Sequence, residues 1–357
     1  MGRLSQNFNK LLSVVSTDMA IDLGTANTLV YVKNKGIVLN EPTIVAVNKK
    51  TGQLVAVGIE AKTMQGRTPQ HIEVVRPLVD GVISDFEVTE EMLGYLINKV
   101  QNETRSLVPP RILIGVPSGI TNVEMRAARD AAKNAGARDV FLIEEPMAAA
   151  IGAKLPINKA AGNMIIDIGG GTTDIAVISL NGIVVAKNLR VAGDHLNAAI
   201  SSYVRDQFKV YVGEKTAEDA KIALASVNPE GSGNEMIIRG RDVMTGLPRE
   251  VIITASDVRD AVVNQIDSIV ETTKAVLEKT PPEVLADVMQ RGVHVCGGGA
   301  LIPGLSTLLE ESLQVPVIVV PDPLRSVIRG TGIVIENFEE YEEILIDNEG
   351  ELSPYQS

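Results

Sequence analysis

The hydrophobic residues along the chain form strand patterns that alternate with helix patterns. Residues 19–32 form two β-rich stretches around a glycine-bearing turn, and residues 163–178 repeat that arrangement. Between the two copies, strand patterns at 112–116 and 140–143 are each followed by a helix pattern, the first of which opens near Thr121. Strands that alternate with helices are typical of α/β domains, and the repeated hairpin predicts an internal duplication.

The second half of the chain continues with the same alternation. Helical patterns at 196–208 and 216–225 precede a polar, glycine-rich stretch at 228–234. A long helical pattern at 255–279 stops at two prolines, and a strand pattern at 292–296 then runs into three glycines. We therefore expect a second α/β region that carries a small subdomain with a loop.

The N-terminal segment has an apolar stripe of its own. Residues 1–17 contain no acidic residue, and Arg3 and Lys10 lie beside the stripe. The stripe consists of Leu4, Phe8, Leu11, Leu12 and Val15. Such a segment can lie in a lipid interface with its cations near anionic headgroups, so residues 1–16 are predicted to bind membrane. The alternative is a helix that docks the same stripe on the protein itself.

Composition narrows the class of protein. With 357 residues, 45% of them apolar, the chain can fill two hydrophobic cores. Cys296 is the only cysteine, so no internal disulfide can form and the cytosol is the expected compartment. A net charge of −12 and 3% aromatic residues argue against nucleic acid as a partner. Acidic residues crowd positions 336–351, which we expect to be a solvated tail.

Each copy of the hairpin places an aspartate at the end of its first strand, just before a glycine-bearing turn. Asp22 precedes Gly24, and Asp167 precedes the run 169–171. A carboxylate at this point can hold Mg²⁺ or its waters, and the backbone N–H groups of the turn can bind phosphate. Glycine permits the close approach that this needs. A single turn of this kind is common in ordinary hairpins, whereas two in register predict a nucleotide whose phosphates are clamped between two lobes.

Two further stretches suit a nucleotide site. Glu144, Glu145 and Pro146 mark the junction of a strand and a helix, where Glu145 can orient an attacking water; the alternative is a capping carboxylate without chemistry. The run 297–300 follows a strand and allows backbone to approach a flat ring such as adenine. No Gly-x-x-x-x-Gly-Lys-Ser/Thr motif is present, so a P-loop is not supported.

Four motifs, in their order along the chain, resemble the superfamily of actin, heat-shock chaperones and sugar kinases. They are Asp22-Leu23-Gly24-Thr25-Ala26-Asn27, Glu144-Glu145-Pro146-Met147-Ala148-Ala149-Ala150, Asp167-Ile168-Gly169-Gly170-Gly171-Thr172-Thr173 and Gly297-Gly298-Gly299-Ala300-Leu301. Within it, further motifs resemble the MreB family of bacterial actin-like proteins over about residues 18–332. These are Asn40-Glu41-Pro42, Gly58 with Ala61-Lys62, Arg76-Pro77 with Asp80-Gly81-Val82-Ile83, and Gly246-Leu247-Pro248-Arg249.

The resemblance implies an α/β, actin-like fold with two duplicated lobes around a nucleotide cleft, each lobe with a smaller subdomain. Residues 1–16 would be the membrane segment. Subdomain IA would comprise 17–46, 80–158 and 329–357; IB, 47–79; IIA, 159–194 and 260–328; and IIB, 195–259.

The resemblance also implies ATP and Mg²⁺ as cofactors and assigns the site. Glu145 and Asp167 would be catalytic, and Asp22 and Asp167 would serve the metal. Phosphates would be held by Gly24, Thr25, Ala26, Asn27, Gly169, Gly170, Gly171 and Thr172. The ribose and adenine side would be Glu218, Asp219, Ala220 and Lys221, opposite Gly297, Gly298, Gly299 and Ala300.

A protein of this family would polymerise into paired filaments on the inner face of the cytoplasmic membrane, hydrolyse ATP slowly, organise lateral peptidoglycan synthesis and maintain rod shape. Leu107 and Val108 would form a second membrane anchor, and the partners RodZ, MreC and MreD are expected. The alternatives are an actin-like plasmid-segregating filament and a sugar-kinase-type phosphotransferase. Three residues depart from the family pattern. Glu is usual where Asp174 stands, Arg is common where Asp219 stands, and Asp is customary where Asn197 stands.

Overall fold

The computed structural model describes residues 17–104, 108–228 and 233–346. Within these ranges the chain forms two compact units: unit 1 runs to Asn158 and resumes at Arg325, and unit 2 is Lys159–Leu324. No helix in the described ranges is long and apolar enough to span a membrane. The predicted subdivision of each lobe into two subdomains stays a prediction.

The strands and helices alternate along most of the chain. The strands are β1 (Met19–Leu23), β2 (Asn27–Val32), β3 (Gly36–Pro42), β4 (Val45–Asn48), β5 (Leu54–Val57), β6 (Ile72–Val75), β7 (Leu78–Val79), β8 (Val82–Ile83), β9 (Arg111–Val116), β10 (Asp139–Glu144), β11 (Asn163–Ile168), β12 (Thr173–Ser179), β13 (Gly182–Leu189), β14 (Val210–Tyr211), β15 (Glu235–Asp242), β16 (Pro248–Thr254), β17 (Val293–Cys296) and β18 (Val317–Val319). The α-helices are α1 (Ile59–Met64), α2 (Phe86–Thr104), α3 (Asn122–Asn134), α4 (Glu145–Gly152), α5 (Gly193–Tyr203), α6 (Glu214–Leu224), α7 (Ala255–Lys279), α8 (Pro282–Arg291), α9 (Leu305–Leu313) and α10 (Ser326–Glu336).

The main sheets of the two units have the same topology. In unit 1 the strand order is β10-β9-β1-β2-β3, with an antiparallel meander β1-β2-β3 and parallel pairing of β1, β9 and β10. In unit 2 the order is β18-β17-β11-β12-β13, again with an antiparallel meander and two parallel strands beside its first member. Each sheet contributes to its own buried apolar core. The duplication predicted from the repeated hairpin is therefore confirmed.

Smaller sheets accompany the main ones. Unit 1 has a three-stranded sheet of order β5-β4-β6 and a two-stranded ribbon, β7-β8, while unit 2 has a three-stranded sheet of order β14-β15-β16. For the region of the sheet β14-β15-β16, the sequence predicted only a small subdomain with a loop. Its strands alternate weakly, because residues of β15 and β16 such as Ile237 and Ile252 are more than half exposed and so do not mark a buried face.

Local sequence signals explain where several helices begin. Thr121 and Thr254 each accept a hydrogen bond from the third residue of the helix that follows, and the carboxylate at that position bonds back to the threonine N–H. α7 accordingly starts and ends where its pattern predicts. The helix predicted at 196–208 differs from the observed one, because α5 begins earlier, at Gly193. It continues as a π-helix, Val204–Phe208, which ends at Lys209 with φ 57°.

The acidic segment that we expected to be a solvated tail is structured as far as Ile346. The Glu336 carboxylate accepts from the Tyr31 hydroxyl at 3.2 Å, and the Ile346 N–H donates to the carbonyl of Leu142 in β10 at 2.9 Å. The ring of Phe338 packs edge-on against another aromatic side chain in β10. The glutamates at 339, 340, 342 and 343 are exposed, as their charge predicted, while the apolar residues between them dock the segment on unit 1.

One of the family-like motifs has a structural explanation. The Glu41 carboxylate accepts from the Ile59 N–H at 3.1 Å, at the start of α1, and pairs with the Lys99 ammonium at 3.1 Å. Gly58 has φ 67°, and a Cβ there would overlap the same carboxylate. Glutamate and glycine are thus required together at these positions, since the carboxylate occupies the space that a side chain would need.

Candidate functional site

In unit 2 the turn between β11 and β12, residues 169–172, is named hairpin 2. The Gly169 N–H donates to the Thr172 carbonyl at 2.9 Å, which closes the turn. The Gly169 and Gly170 carbonyls accept from the N–H groups of Gly193 and Asp194, at 3.2 and 2.8 Å, where α5 begins. These bonds direct the carbonyl oxygens toward α5 and use N–H groups that a helix would otherwise leave without intrahelical partners.

The N–H groups of hairpin 2 are thereby suited to an anion. Among the described residues, no hydrogen bond uses the N–H groups of Gly170 or Gly171. Successive backbone N–H groups in a turn form an anion-binding concavity, and phosphate is the common ligand of such turns. The phosphate role predicted for residues 169–172 remains a prediction, and the geometry of the turn fits it.

The glycine run after β17 lies against the same strand end. A Cβ at Gly297 would overlap the Ile168 carbonyl and the Oδ1 atom of Asp167, and one at Gly299 would overlap the Ile168 side chain. Gly297 also has φ 77°, a conformation that favours glycine. The run therefore brings backbone close to Asp167, which is 8% exposed. Close approach was predicted here for an adenine ring, and these contacts provide a second reason for the glycines.

In unit 1 the corresponding turn, residues 24–27, is named hairpin 1. Its carbonyls are also engaged, but by a different group: Thr43 donates from its hydroxyl to the Gly24 carbonyl at 2.6 Å and from its N–H to the Ala26 carbonyl at 3.0 Å. The Gly81 N–H donates to the Thr25 hydroxyl at 3.0 Å. No hydrogen bond within the described ranges uses the N–H groups of Thr25 or Ala26. Hairpin 1 thus has the same division between held carbonyls and available N–H groups.

Asp22 precedes hairpin 1 in an environment that disfavours its charge. It lies in the sheet between Leu29 of β2 and Gly115 of β9. Burial raises the pKa of Asp22 from 3.8 to about 7. A divalent cation beside the carboxylate would favour the ionised form, so this residue fits a position near Mg²⁺.

Glu145 is the first residue of α4, and Pro146 follows it within the first turn. The residue is 8% exposed, and a Cβ on Gly115 would contact its Cγ atom at 3.5 Å. Proline in the first turn fixes the backbone dihedral there, and a carboxylate is favoured at a helix N-terminus. Glu145 is therefore held rigidly within unit 1, as its predicted role requires.

The residues predicted for the ribose and adenine side lie on α6. Glu218 and Lys221 are half-buried and three residues apart, so they share a face of the helix, while Asp219 is exposed and Ala220 packs in the core. The Lys221 ammonium donates to the Gly193 carbonyl at 3.0 Å. This lysine thus reaches the beginning of α5, next to hairpin 2.

Two departures from the family pattern are buried polar residues. Asp174 is the cross-strand partner of Asp167, is 1% exposed, and accepts from the Asn188 side chain at 3.0 Å. It places a second carboxylate on the same face of the sheet as Asp167, which strengthens the local demand for a cation. Asn197 is 3% exposed, and its Oδ1 atom has no hydrogen-bond partner among the residues that the structure describes. An amide costs less to bury there than the customary carboxylate.

Most of the predicted membrane residues lie outside the described residues. These are Leu4, Phe8, Leu11, Leu12, Val15 and Leu107. Val108 is described, is partly exposed, and its carbonyl accepts from the Gln101 amide at 3.5 Å. Sequence reasoning missed Thr43, Gly81, Gly193 and Asp194, which hold the two hairpins. Some of these residues belong to family-like motifs, but their bonds are made through backbone groups or a lone hydroxyl, whose partners the sequence does not show.

The duplicated sheets with their paired aspartate hairpins define an actin-like fold, and comparison with solved structures agrees. MreB5 of Spiroplasma citri bound to ADP superposes with a TM-score of 0.86 at 39% identity, over 92% of this chain and 98% of that one. The same protein bound to AMPPNP gives 0.85 at 39% identity, over 92% and 98% of the two chains. The MamK double helical filament superposes with a TM-score of 0.76 at 24% identity, over 89% of this chain and 99% of that one. It supports the fold alone.

Sequence comparison gives the family. The model of the MreB/Mbl protein family matches residues 16–343. The cell shape-determining protein Mbl of Bacillus subtilis (strain 168) is 50% identical over 322 residues, 90% of this chain and 96% of that protein. The cell shape-determining protein MreB of Escherichia coli (strain K12) is 47% identical over 331 residues, 92% of this chain and 95% of that protein. The chain belongs to the MreB/Mbl family.

Proposed function

We propose that this chain binds ATP with Mg²⁺ and polymerises into filaments that hydrolyse ATP slowly. The observation that carries the proposal is the repeated hairpin: in each unit an aspartate precedes a turn whose carbonyls are held by neighbouring groups. The solved structures of MreB5 with ADP and AMPPNP support it, because that relative binds adenine nucleotides and is 39% identical to this chain.

Each group of residues has its own role at the nucleotide. The N–H groups of hairpins 1 and 2 bind phosphate oxygens, and Asp22 and Asp167 hold Mg²⁺ or its waters. Mg²⁺ neutralises phosphate charge when it is bound. Glu145 orients the attacking water, since its carboxylate is fixed by a strand end and a helix start. Glu218 and the glycine run 297–299 serve the ribose and adenine side.

The cellular role follows from the family. The relatives named for determining cell shape support a role in maintaining rod shape by organising lateral peptidoglycan synthesis. The basic, apolar-striped segment 1–16 and the loop at Leu107 and Val108 would attach filaments to the inner face of the cytoplasmic membrane, where many weak contacts along one filament add up. RodZ, MreC and MreD are the partners that we expect there.

The experiment is sedimentation and electron microscopy of the purified full chain with Mg-ATP, with and without anionic liposomes. Filaments that form with Mg-ATP and coat the liposomes are the expected result. Filaments that leave the liposomes bare would remove the membrane part and favour a plasmid-segregating type of filament. A monomer that transfers phosphate to sugars would overturn the proposal altogether.

A further inference from the structure

The Lys221 ammonium lies at an unusual place for a cation. It is half-buried and donates to the carbonyl of Gly193, the first residue of α5, at 3.0 Å. The N-terminus of a helix carries partial positive charge, so the helix dipole disfavours a lysine there. The dipole of α5 therefore does not account for this contact.

The same first turn of α5 holds hairpin 2. Gly193 donates its N–H to the Gly169 carbonyl at 3.2 Å, and Asp194 donates its N–H to the Gly170 carbonyl at 2.8 Å. Gly193 thus donates its N–H to hairpin 2 and accepts a hydrogen bond from Lys221 at its carbonyl. A continuous path of hydrogen bonds runs from α6 through one peptide segment to the turn that we assign to phosphate.

Hairpin 2 and the lysine both lie close to the Cα atom of Gly193. A Cβ on Gly193 would lie 3.3 Å from both the Gly169 carbonyl oxygen and the Lys221 ammonium nitrogen, and 3.6 Å from the Cα atom of Gly170. Hairpin 2 and the lysine therefore converge on one glycine. Movement of the ammonium group would shift the peptide against which the carbonyls of hairpin 2 are fixed.

We propose that Lys221 is a positioning residue, which holds hairpin 2 through Gly193 in the orientation that presents its N–H groups to phosphate. The proposal rests on the proposed function and replaces the ribose and adenine role that the resemblance gives this lysine, which leaves that side to Glu218 and the glycine run 297–299. Because Lys221 shares a face of α6 with Glu218, contact with the sugar or base is coupled to the geometry of the phosphate turn.

The test separates a phosphate role from a sugar or base role by comparing nucleoside diphosphates. Dissociation constants for ADP, 2′-deoxy-ADP and inosine diphosphate are measured by competition on the full chain. The variants are Lys221→Met, which keeps the apolar stem, Lys221→Arg, and Gly193→Ala, which strains the path without altering Lys221. Lys215→Met, at an exposed position of the same helix, controls for the loss of one positive charge.

We expect Lys221→Met and Gly193→Ala each to weaken all three ligands by about tenfold and by the same factor, so that the ratios between ligands do not change. The double variant is no weaker than the more severe single variant, because both break one path. Lys221→Arg regains part of the affinity, and Lys215→Met stays within about twofold of the unaltered chain.

Altered ligand ratios in Lys221→Met, together with unchanged ADP affinity in Gly193→Ala, would overturn the positioning role and leave the nucleotide proposal standing. If Gly193→Ala does not fold, the ratios in Lys221→Met and the recovery in Lys221→Arg decide the question. Failure of the unaltered chain to bind any of the three nucleotides would instead overturn the proposed function itself.

Discussion

Replacement of Asp22 by asparagine should stabilise the nucleotide-free protein, and more so at higher pH. The pKa of Asp22 in the folded chain is raised from 3.8 to about 7 by burial. Between these values the folded state holds a proton that the unfolded state has released, so the unaltered protein loses stability as pH rises toward and through 7. Asparagine has the same shape and no charge, and it escapes this loss.

The magnitude follows from the two pKa values. One pKa unit corresponds to about 1.4 kcal/mol, so the full shift amounts to roughly 4 kcal/mol at high pH. About half of it, roughly 2 kcal/mol, develops between about pH 5.5 and about pH 8. The free energy of unfolding of Asp22→Asn relative to the unaltered chain should rise by this amount over that interval.

Urea denaturation of both proteins in EDTA, at the two pH values, measures the difference, and other titrating groups cancel in the comparison. Asp242→Asn is a matched control. Hydrogen bonds from Thr245 and Arg249 lower the pKa of Asp242 to about 2, so its contribution is lost only as pH falls through that value and is constant over the tested interval. A stability difference for Asp22→Asn that is the same at both pH values would refute the reasoning.

Four other perturbations test separate features of the protein. Glu145→Ala should slow phosphate release with little change in ATP affinity, whereas Asp167→Ala should weaken binding of Mg-nucleotide; unchanged phosphate release in the first variant would remove the water-orienting role. Deletion of residues 1–16 should lower cosedimentation with anionic liposomes while pelleting with Mg-ATP continues, and equal liposome binding would favour docking of the segment on the protein. Gly58→Ala should cost about 1–3 kcal/mol of stability in thermal unfolding, more than Gly52→Ala, which has a similar φ but open space around it.

The central parts of the fold could be predicted because their signals are local. The two hairpins combine period-two hydrophobicity with a glycine turn, and α7 is bounded by a capping threonine and a pair of prolines. The repetition of one hairpin was sufficient to predict two similar sheets. In unit 2, the structure brings hairpin 2, Asp167, the glycine run 297–299 and Lys221 together, while the nucleotide role of these residues stays a prediction.

Other parts depend on contacts between residues far apart in sequence. The carbonyls of hairpin 1 are held by Thr43, and Glu41 spans from β3 to the start of α1 and to Lys99 on α2. Neither role shows in composition or periodicity, because a threonine or glutamate at the end of a strand looks like many others. Docking of the glutamate-rich segment after α10 was not predicted for the same reason, since its few apolar residues find partners only in the folded unit.

The two hairpins also differ in how they are supported, and this has a consequence for protein engineering. The carbonyls of hairpin 1 are held by a single threonine, whereas those of hairpin 2 are held by the backbone at the start of a helix. The two turns are thus alike in sequence pattern but are supported by different neighbours. A graft of residues 24–27 onto unit 2, or of 169–172 onto unit 1, would therefore carry the sequence of the turn without its orientation. Transplanting the turn would require transplanting its supporting threonine or helix as well.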